Sequence, residues 1–348
     1  CNRMHVGRDY RIPIALSKEE NPFMVSPAYD VFEIIDTTVL LPEYLMMWFS
    51  RKEFDRNVWF HTDADVRGGL PWNAFCDLEL PIPSPEKQQE IIREYNTIQN
   101  RIALNNQFIS KLEETAQAVY KQWFVDFEFP DENGKPYKSN GGKMVWCKEL
   151  EKEIPEGWEV KELGEIAYFT TGKLDSNAEV QNGKYPFFTC ASEPTMTDTF
   201  AFNDNVILIA GNNASGNFHI NRFKGKFNAY QRTYIITSEN PVDLEYIYQV
   251  LKTETKLLKS QGKGSQTKFL TIGMLTGIKV YRNNIKIIDN YNKIASNIYE
   301  KQVIVKQENQ ELASLRDWLL PMLMNGQVSV GDFEEQLGMV AEPRESYK

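Results

Sequence analysis

The feature of this sequence that most constrains its fold is a heptad pattern that occurs twice. In the first copy, apolar residues recur in alternating steps of four and three from Ile91 to Trp123. The same steps run from Ile287 to Leu319, and the two patterns superpose at one constant offset, with Tyr95 matching Tyr291. Alternating steps of this kind are typical of helices that pack as a coiled coil. A pattern that recurs at a fixed offset indicates an internal repeat.

Each heptad helix follows a similar stretch of chain. An apolar segment opens with Leu41–Tyr44 before the first helix and with Asp243–Tyr246 before the second, and a strand-like stretch precedes each helix directly. We therefore predict two globular parts, the first of them β-rich with strands at Arg11–Leu16 and Val31–Ile35. Each helix is about 60 Å long at about 1.5 Å per residue. Since each starts from its own globular part, the two helices are expected to pair antiparallel.

One matched pair of polar residues is predicted inside the helix seam. Asn105 in the first copy matches Lys301 in the second. A polar residue in a coiled-coil seam costs stability but selects one register and one partner. The two helices are therefore predicted to form a spacer of defined length.

Composition and cysteine usage limit the class of protein. The chain of 348 residues has room for two domains, and 42% hydrophobic with 12% aromatic residues fits a folded protein. No run approaches the roughly 18 apolar residues of a membrane span. The four cysteines lack metal-ligand spacing and secretory context. These features predict a reduced, cytoplasmic protein.

The charge distribution points to a polyanionic partner despite the net charge of −9. No acidic residue lies between Asp204 and Glu239 or between Glu254 and Asp289, while lysine and arginine recur in both stretches. Acidic residues concentrate instead in a linker and in the C-terminal tail. The local field, not the total charge, steers nucleic acid to a surface. Charge alone leaves open that these stretches are only solvated faces.

Polar loops in both globular parts have the chemistry that reads DNA. Asn and Gln pair with adenine edges, Arg pairs with guanine, and Ser and backbone amides contact phosphate. Such residues crowd into residues 212–222 and 230–232, into the matching residues 2–8, and into a glycine-rich basic loop at residues 262–268. A solvated connection is the alternative for each loop. The predicted DNA-binding residues are Asn2, Arg3, His5, Arg8, Thr171, Lys173, Asn212, Asn213, Ser215, Asn217, His219, Arg222, Lys224, Tyr230, Gln231, Arg232, Lys263, Gln266 and Lys268.

Enzyme signatures are incomplete. Gly211 and Gly216 have the spacing of the outer glycines of a phosphate-binding loop, but Asn217-Phe218 replaces the required Lys-Ser/Thr. Asn21-Pro22-Phe23 fits a turn better than a methyltransferase motif. The three histidines have no zinc-ligand spacing. We predict no catalytic residue and no metal site.

Four groups of motifs, taken in order, resemble one family. They are Leu80–Pro83 with Glu86-Lys87-Gln88, Leu112–Gln117 leading to Lys121–Phe127, Ile154–Trp158 with Leu163–Ile166, and Leu312–Arg316 with Leu319–Pro321 and Asn325-Gly326. In this order they resemble the specificity subunit of type I restriction–modification enzymes.

The resemblance implies an α/β (α+β) fold with two target recognition domains, each followed by a long helix, the helices pairing as an antiparallel coiled coil. Each domain would read one half of a bipartite double-stranded DNA sequence. The chain itself would be non-catalytic and bind no cofactor. It would dock two modification (methyltransferase) subunits and restriction subunits, which would use S-adenosylmethionine, ATP and Mg. The resemblance places Phe108, Trp123, Phe124 and Phe127 against the modification subunits.

The predicted domain boundaries follow from the repeat and the resemblance. They are a partial first recognition domain (residues 1–83), the first long helix (84–130), a linker (131–153), the second recognition domain (154–282), the second long helix (283–326) and an acidic tail (327–348). The first domain lacks the opening that the second has before Ile209, so we expect either that these residues are missing from the sequence or that another chain supplies them. Two alternatives remain: a coiled-coil scaffold, or the recognition part of a single-chain restriction–methylation enzyme. The DNA sequence read, its gap and the oligomeric state are not predicted.

Overall fold

The computed structural model describes residues 1–4, 6–19, 21–63, 68–213, 216, 218–238, 240, 243–261, 268–282 and 285–328. The chain divides into two compact units. Unit 1 comprises Cys1–Phe108 and Ile304–Lys348, and unit 2 comprises Ile109–Val303. No helix in the described part of the chain is long and apolar enough to cross a membrane.

Two long helices, α5 and α8, each contribute to both units. Helix α5 spans Pro85–Phe124, and α8 spans Ile285–Met324. The start of α5 follows from its sequence, because Ser84 Oγ accepts a hydrogen bond from the Lys87 amide and Pro85 needs no donor in the first turn. Helix α8 ends before Gly326, whose φ of +67° is the left-handed conformation that glycine adopts without strain.

The described part of unit 1 also contains four short helices. They are α1 (Val6–Asp9), α2 (Pro42–Phe49), α3 (Lys52–Phe60) and α4 (Trp72–Cys76). The start of α5 packs against the end of α8 in this unit, in an apolar cluster that includes Tyr44, Ile91 and Leu320. A second cluster joins α1, α3 and the segment that precedes α4, through Val6, Phe54 and Leu70.

The prediction that the first globular part is β-rich is wrong for the described residues of unit 1, which contain no strand. The segments Arg11–Leu16 and Val31–Ile35 have no regular structure, and Val31 and Ile35 are 79% and 102% exposed. An alternating pattern forms a strand only where a neighbouring strand accepts its backbone hydrogen bonds. Among the described residues of unit 1 no such neighbour is present.

Unit 2 is built on a six-stranded sheet. Its order is β4-β10-β7-β9-β5-β6, antiparallel throughout except for the parallel pair β5–β9. Three two-stranded pairs accompany it: β1–β2, β3–β12 and β8–β11. The strands are β1 (Met144–Cys147), β2 (Lys152–Pro155), β3 (Glu159–Glu162), β4 (Ala167–Thr171), β5 (Tyr185–Phe188), β6 (Thr195–Thr197), β7 (Phe202–Ala210), β8 (Asn212–Asn213), β9 (Ile220–Ala229), β10 (Thr233–Ser238), β11 (Lys268–Phe269) and β12 (Lys279–Arg282).

Two further helices, α6 (Leu244–Gln261) and α7 (Ile272–Thr276), belong to unit 2. The end of α5 packs against the start of α8 here, so the two long helices are antiparallel within each unit. Phe124 of α5 lies between Tyr246 of α6 and Tyr291 of α8, at ring-centroid distances of 4.7 and 5.2 Å. This aromatic cluster joins the long helices to the sheet-bearing part of unit 2.

The seam of α8 differs from the predicted one by one residue at every second position. Lys301, predicted to lie in the seam, is exposed, and its neighbour Gln302 instead donates to Ile109 O and Glu113. In the same way Asn309 pairs with the buried Asn105, at 2.9 Å. At both places the predicted residue and its neighbour are polar, Lys301 with Gln302 and Glu308 with Asn309, so apolar spacing does not distinguish them. Hydrogen bonds across the seam place Gln302 and Asn309 inward.

The predicted linker contains ordered structure. Strands β1 and β2 form a hairpin in which Met144 pairs with Pro155, and the buried Ile154 joins the main core of unit 2. Residues 131–143 form turns, as their glycine and proline content predicts, and Gly134 and Gly141 adopt positive φ.

Candidate nucleic-acid interface

One cavity of unit 2 gathers several of the predicted DNA-binding residues. It has a volume of about 560 Å³, and we call it the sheet-end cavity. It lies where the end of β4, the chain after β7 and the turn between β9 and β10 meet. Its lining residues are Thr171, Gly211, Asn212, Gln231, Arg232, Tyr234, Phe269 and Leu270.

Backbone hydrogen bonds join the chain after β7 to two other segments that line the sheet-end cavity. The Gly211 amide donates to Arg232 O at 2.8 Å, and the Leu270 amide donates to Gly211 O at 2.8 Å. A Cβ atom at Gly211 would lie 2.4 Å from Arg232 O. Glycine is therefore required where the chain leaves β7, because any side chain would push the Arg232 turn away.

The polar side chains of the cavity are oriented by neighbours. Cys190 Sγ donates to Asn212 Oδ1 at 2.7 Å. Gln231 Nε2 donates to Asp175 Oδ1 at 2.8 Å. The Tyr234 hydroxyl donates to Leu270 O at 3.1 Å, which leaves its ring on the cavity wall. Amide groups held in this way present a fixed pattern of donors and acceptors.

Arg232 supplies a positive charge at the cavity. Its side chain is exposed, and no ion pair among the described residues involves it. Phe269 is 67% exposed beside it. A free guanidinium suits guanine, fixed amides suit adenine, and an apolar group suits the thymine methyl. The cavity therefore has the chemistry that recognises base edges.

Exposed lysines lie on neighbouring segments of unit 2, outside the cavity lining. Lys173 follows β4, with its Nζ 5.9 Å from the Phe202 ring centroid. Lys224 and Lys226 are exposed on β9. Such groups can contact phosphates without reading sequence. His219 and Tyr230 are half-buried and do not line the cavity.

Arg222 does not have the exposure that the predicted DNA contact requires. Its side chain is only 4% exposed and donates to Glu245 Oε1 at 2.7 Å, with further bonds to Asn205 Oδ1 and Val206 O at 2.8 Å. The guanidinium carbon lies 4.9 Å from the Tyr299 ring centroid. The structure thus uses Arg222 to join β9 to α6 and α8. Burial raises the pKa of the Glu245 carboxyl, and the Arg222 guanidinium opposes that rise.

Arg3 of unit 1 also has a structural partner. It forms an ion pair with Asp30 at 2.6 Å and donates to Leu70 O. Asn2 Oδ1 accepts from the Met4 amide at 3.0 Å, which shapes the local turn. Arg8 lies in α1.

Several predicted residues fall wholly or partly outside the described part of the chain. Asn213 and Lys268 are backbone partners in the β8–β11 pair, and nothing is described of their side chains. The predicted residues that lie outside the described residues are His5, Ser215, Asn217, Lys263 and Gln266.

Three of the four residues predicted to face partner subunits are buried in unit 2 instead. Phe127 packs edge-on against Trp158 at 5.5 Å between ring centroids, and Trp123 and Phe124 are buried in the same core. Because their rings are covered by other parts of unit 2, they cannot also cover a partner. Phe108, in unit 1, is about half exposed.

Sequence reasoning missed Cys190, Tyr234 and Phe269. In the sequence, Tyr234 has the pattern of an ordinary strand residue. The role of Cys190 in orienting Asn212 is evident only from the contact between the two side chains. An aromatic residue directly after a glycine-rich basic loop is the one available signal for Phe269.

Comparisons with known proteins show what the chain is similar to. Residues 155–312 match the family model described as type I restriction modification DNA specificity domain. The chain is 34% identical over 181 residues to the type I restriction enzyme EcoDI specificity subunit of Escherichia coli, a match covering 51% of this chain and 40% of that protein. It is 26% identical over 342 residues to the MjaIX specificity subunit of Methanocaldococcus jannaschii, covering 91% and 75%.

The solved structure of a type I restriction–modification system S subunit from M. genitalium has a similar fold. Its TM-score is 0.50 at 19% sequence identity, with coverage of 83% of this chain and 74% of that one. Fold and matched residues together define a DNA specificity domain. Residues 155–312 match the type I restriction modification DNA specificity domain. The chain as a whole is similar to type I restriction enzyme specificity subunits, which confirms the resemblance seen in its motifs.

Proposed function

We propose that this chain recognises double-stranded DNA for a type I restriction–modification complex, and that the sheet-end cavity reads bases in one half of a bipartite target. One observation carries the proposal. Thr171, Asn212, Gln231 and Arg232 come from three separate segments and still line a single cavity. The match covers less than half of the E. coli relative. A DNA-recognition role for the whole protein is therefore proposed.

The chain is proposed to be non-catalytic, with methylation and cleavage carried out by modification and restriction subunits. S-adenosylmethionine, ATP and Mg would then bind to those partners. Exposed apolar side chains on the long helices support docking: in unit 1, Leu104, Ile304 and Trp318 are all more than half exposed. Such residues are typical of surfaces covered by another protein. Work on chromosomal or invading DNA would place the chain in the cytoplasm.

The test is a binding selection with the full chain. A pool of random duplex DNA is enriched at low salt, and affinity for the enriched sequence is compared between the unsubstituted chain and Arg232→Gln. Loss of one base contact costs about 1–3 kcal/mol, which is roughly 5- to 150-fold in affinity. Arg93→Gln is the matched control, because Arg93 is exposed on α5 and far in sequence from the cavity.

The two variants separate the outcomes. We expect Arg232→Gln to weaken binding and to relax the enriched sequence at one position, while Arg93→Gln stays within about twofold of the unsubstituted chain. Equal weakening by both variants would mean that Arg232 contributes only charge. Absence of DNA binding by the unsubstituted chain would instead favour a coiled-coil scaffold.

A further inference from the structure

The chain after β4 lies directly against the turn between β9 and β10 that carries Gln231. The Leu174 amide donates to Ala229 O at 3.3 Å, and the Gln231 amide donates back to Leu174 O at 3.0 Å. A Cβ atom at Gly172 would lie 2.1 Å from Ala229 O, so glycine is required for this close approach. Backbone contacts therefore fix the place of the next residue, Asp175, beside Gln231.

Asp175 fixes the orientation of the Gln231 side-chain amide. Gln231 Nε2 donates to Asp175 Oδ1 at 2.8 Å. An ionised carboxylate only accepts hydrogen bonds, so the amide nitrogen must face Asp175 and the amide oxygen is turned away from it. Gln231 lines the sheet-end cavity and Asp175 does not. The amide is therefore held from outside the cavity, and no described residue donates to Gln231 Oε1.

Two other side chains of the cavity present donors. The Arg232 guanidinium can only donate. Asn212 Oδ1 already accepts from Cys190 Sγ, which leaves the amide hydrogens of Asn212 for a ligand. The cavity thus offers donors from two residues, and Gln231 Oε1 adds an acceptor at a different place.

A fixed acceptor distinguishes amino bases from keto bases. In the major groove, adenine and cytosine carry an exocyclic amino group that donates, whereas guanine and thymine carry a keto oxygen that accepts. Gln231 Oε1 can bind the amino group, but it faces the keto oxygen as a second acceptor. A glutamine free to reverse its amide would accommodate both classes, because reversal exchanges donor and acceptor. The hydrogen bond to Asp175 removes that freedom.

We propose that Asp175 is a specificity-determining positioning residue, which makes Gln231 select an amino base, adenine or cytosine, against a keto base on the contacted strand. The inference rests on the proposed function of the sheet-end cavity and deepens it, since it assigns the chemical class of one base that the cavity reads. Asp175 contacts no base itself and acts through Gln231. Their hydrogen bond is exposed in the free chain, and DNA over the cavity would exclude water from it, which strengthens a charged hydrogen bond.

Competition binding with the full chain tests this proposal. The probes are four duplexes with the enriched sequence that differ only at the base pair whose preference Gln231→Ala abolishes. We expect the unsubstituted chain to group them by the base on one strand, with adenine and cytosine bound at least about fivefold more tightly than guanine and thymine, the lower limit for one base contact. A fifth duplex lacks the amino group, through purine in place of adenine or 2-pyrimidinone in place of cytosine. It should lose the same advantage, which identifies the amino group as the group that is read.

Two matched variants isolate the effect of Asp175. Asp175→Asn keeps the shape of the side chain but lets it donate as well as accept, so Gln231 can reverse its amide. The preference for amino over keto bases should then fall to within about twofold, while affinity for the best duplex is kept or raised, because a carboxylate near phosphates is removed. Asp198→Asn makes the same change at an exposed residue after β6, at the opposite edge of the sheet from β4, and should keep the preference.

The outcomes separate this inference from the proposed function. A preference that Asp175→Asn leaves intact, a grouping other than amino against keto, or deletion of the amino group without effect would overturn the role of Asp175. Absence of any base preference that Gln231→Ala abolishes would overturn it as well. In each of these cases DNA reading by the cavity would stand through Arg232. Failure of the unsubstituted chain to enrich any duplex sequence would overturn the proposed function, and this inference with it.

Discussion

Unit 1 and unit 2 place the same glutamate in opposite environments. Glu43 and Glu245 each precede the buried tyrosine of their repeat, but Glu43 is exposed whereas Glu245 is buried against Arg222. The arginine comes from β9, and the described part of unit 1 has no strand that could provide one. Both units therefore have the helix that carries the glutamate and the tyrosine, and the sheet of unit 2 accounts for the difference in glutamate burial.

The helix pairs differ in a similar way. In unit 2, Glu113 of α5 receives hydrogen bonds from Lys252 and Gln302. The equivalent position of α8 is Asn309, which pairs with Asn105 in unit 1 through neutral amides. Unit 1 also has an ion pair between α5 and α8, Arg101 with Glu308 at 2.8 Å, but both of its side chains are exposed. The buried polar contact between the helices is therefore ionised in unit 2 and neutral in unit 1.

The largest expected effect concerns the two glutamates. Glu245→Ala would leave the Arg222 charge buried without its partner, and removal of one member of a buried pair costs about 3–5 kcal/mol. Glu43→Ala should change the free energy of unfolding by no more than about 0.5 kcal/mol, as is usual at exposed sites. Pulsed hydrogen exchange across a urea series measures each unit separately. Equal effects of the two substitutions would contradict the difference between the units.

The next comparison is between Ile236 of unit 2 and Ile35 of unit 1. Ile236→Ala opens a cavity in the sheet of unit 2 and should destabilise that unit by about 2–5 kcal/mol. Ile35→Ala in the chain alone should have an effect of about 0.5 kcal/mol or less, because Ile35 is fully exposed. The same exchange measurement applies. A large loss for Ile35→Ala would show that residues 31–35 are already packed in solution.

The smallest effect is the pH dependence that Glu113 gives to unit 2. Burial alone would raise the pKa of the Glu113 carboxyl, but the charge and hydrogen bond of Lys252, with bonds from Gln117 and Gln302, hold that pKa below its usual value of 4.5. The lowered pKa means that the ionised carboxylate stabilises the folded state above pH 4.5. This contribution is lost as pH falls through the lower folded pKa.

Glu113→Gln should flatten this acid response of unit 2, and the urea midpoint measured between pH 5 and pH 3 reports it. Asn309→Ala is the control in unit 1, since it removes a neutral amide and should leave the slope with pH unchanged. If Glu113→Gln left the dependence of the urea midpoint on pH unchanged, Glu113 would not be the source of the acid response.

The sequence predicts the elements whose signals are local. Heptad spacing, the Ser84 cap and the Gly326 stop are sufficient for the two long helices, and the apolar run Val206–Ala210 coincides with the buried part of β7. Local signals could not decide whether residues 11–16 and 31–35 form strands, because a strand depends on a partner elsewhere in the chain.

Prediction of the candidate site was limited in a similar way, because contacts with residues distant in the sequence decide which polar side chains are exposed. Polar loop chemistry identified Asn212, Gln231 and Arg232, which the fold brings together. The same chemistry selected Arg222, which is buried against Glu245 of α6, a residue distant in the sequence. Alternation along a strand does not tell which polar residue has a buried partner.

The most direct test of the central claim is a genome-wide methylation map. It is recorded in a host that carries this chain with the modification subunits of its system, once with the unsubstituted chain and once with Arg232→Gln. The account predicts that bases in one half of the bipartite target become relaxed or altered, while the other half and the gap stay the same. An unchanged map, or changes in both halves, would contradict the assignment of DNA reading to the sheet-end cavity.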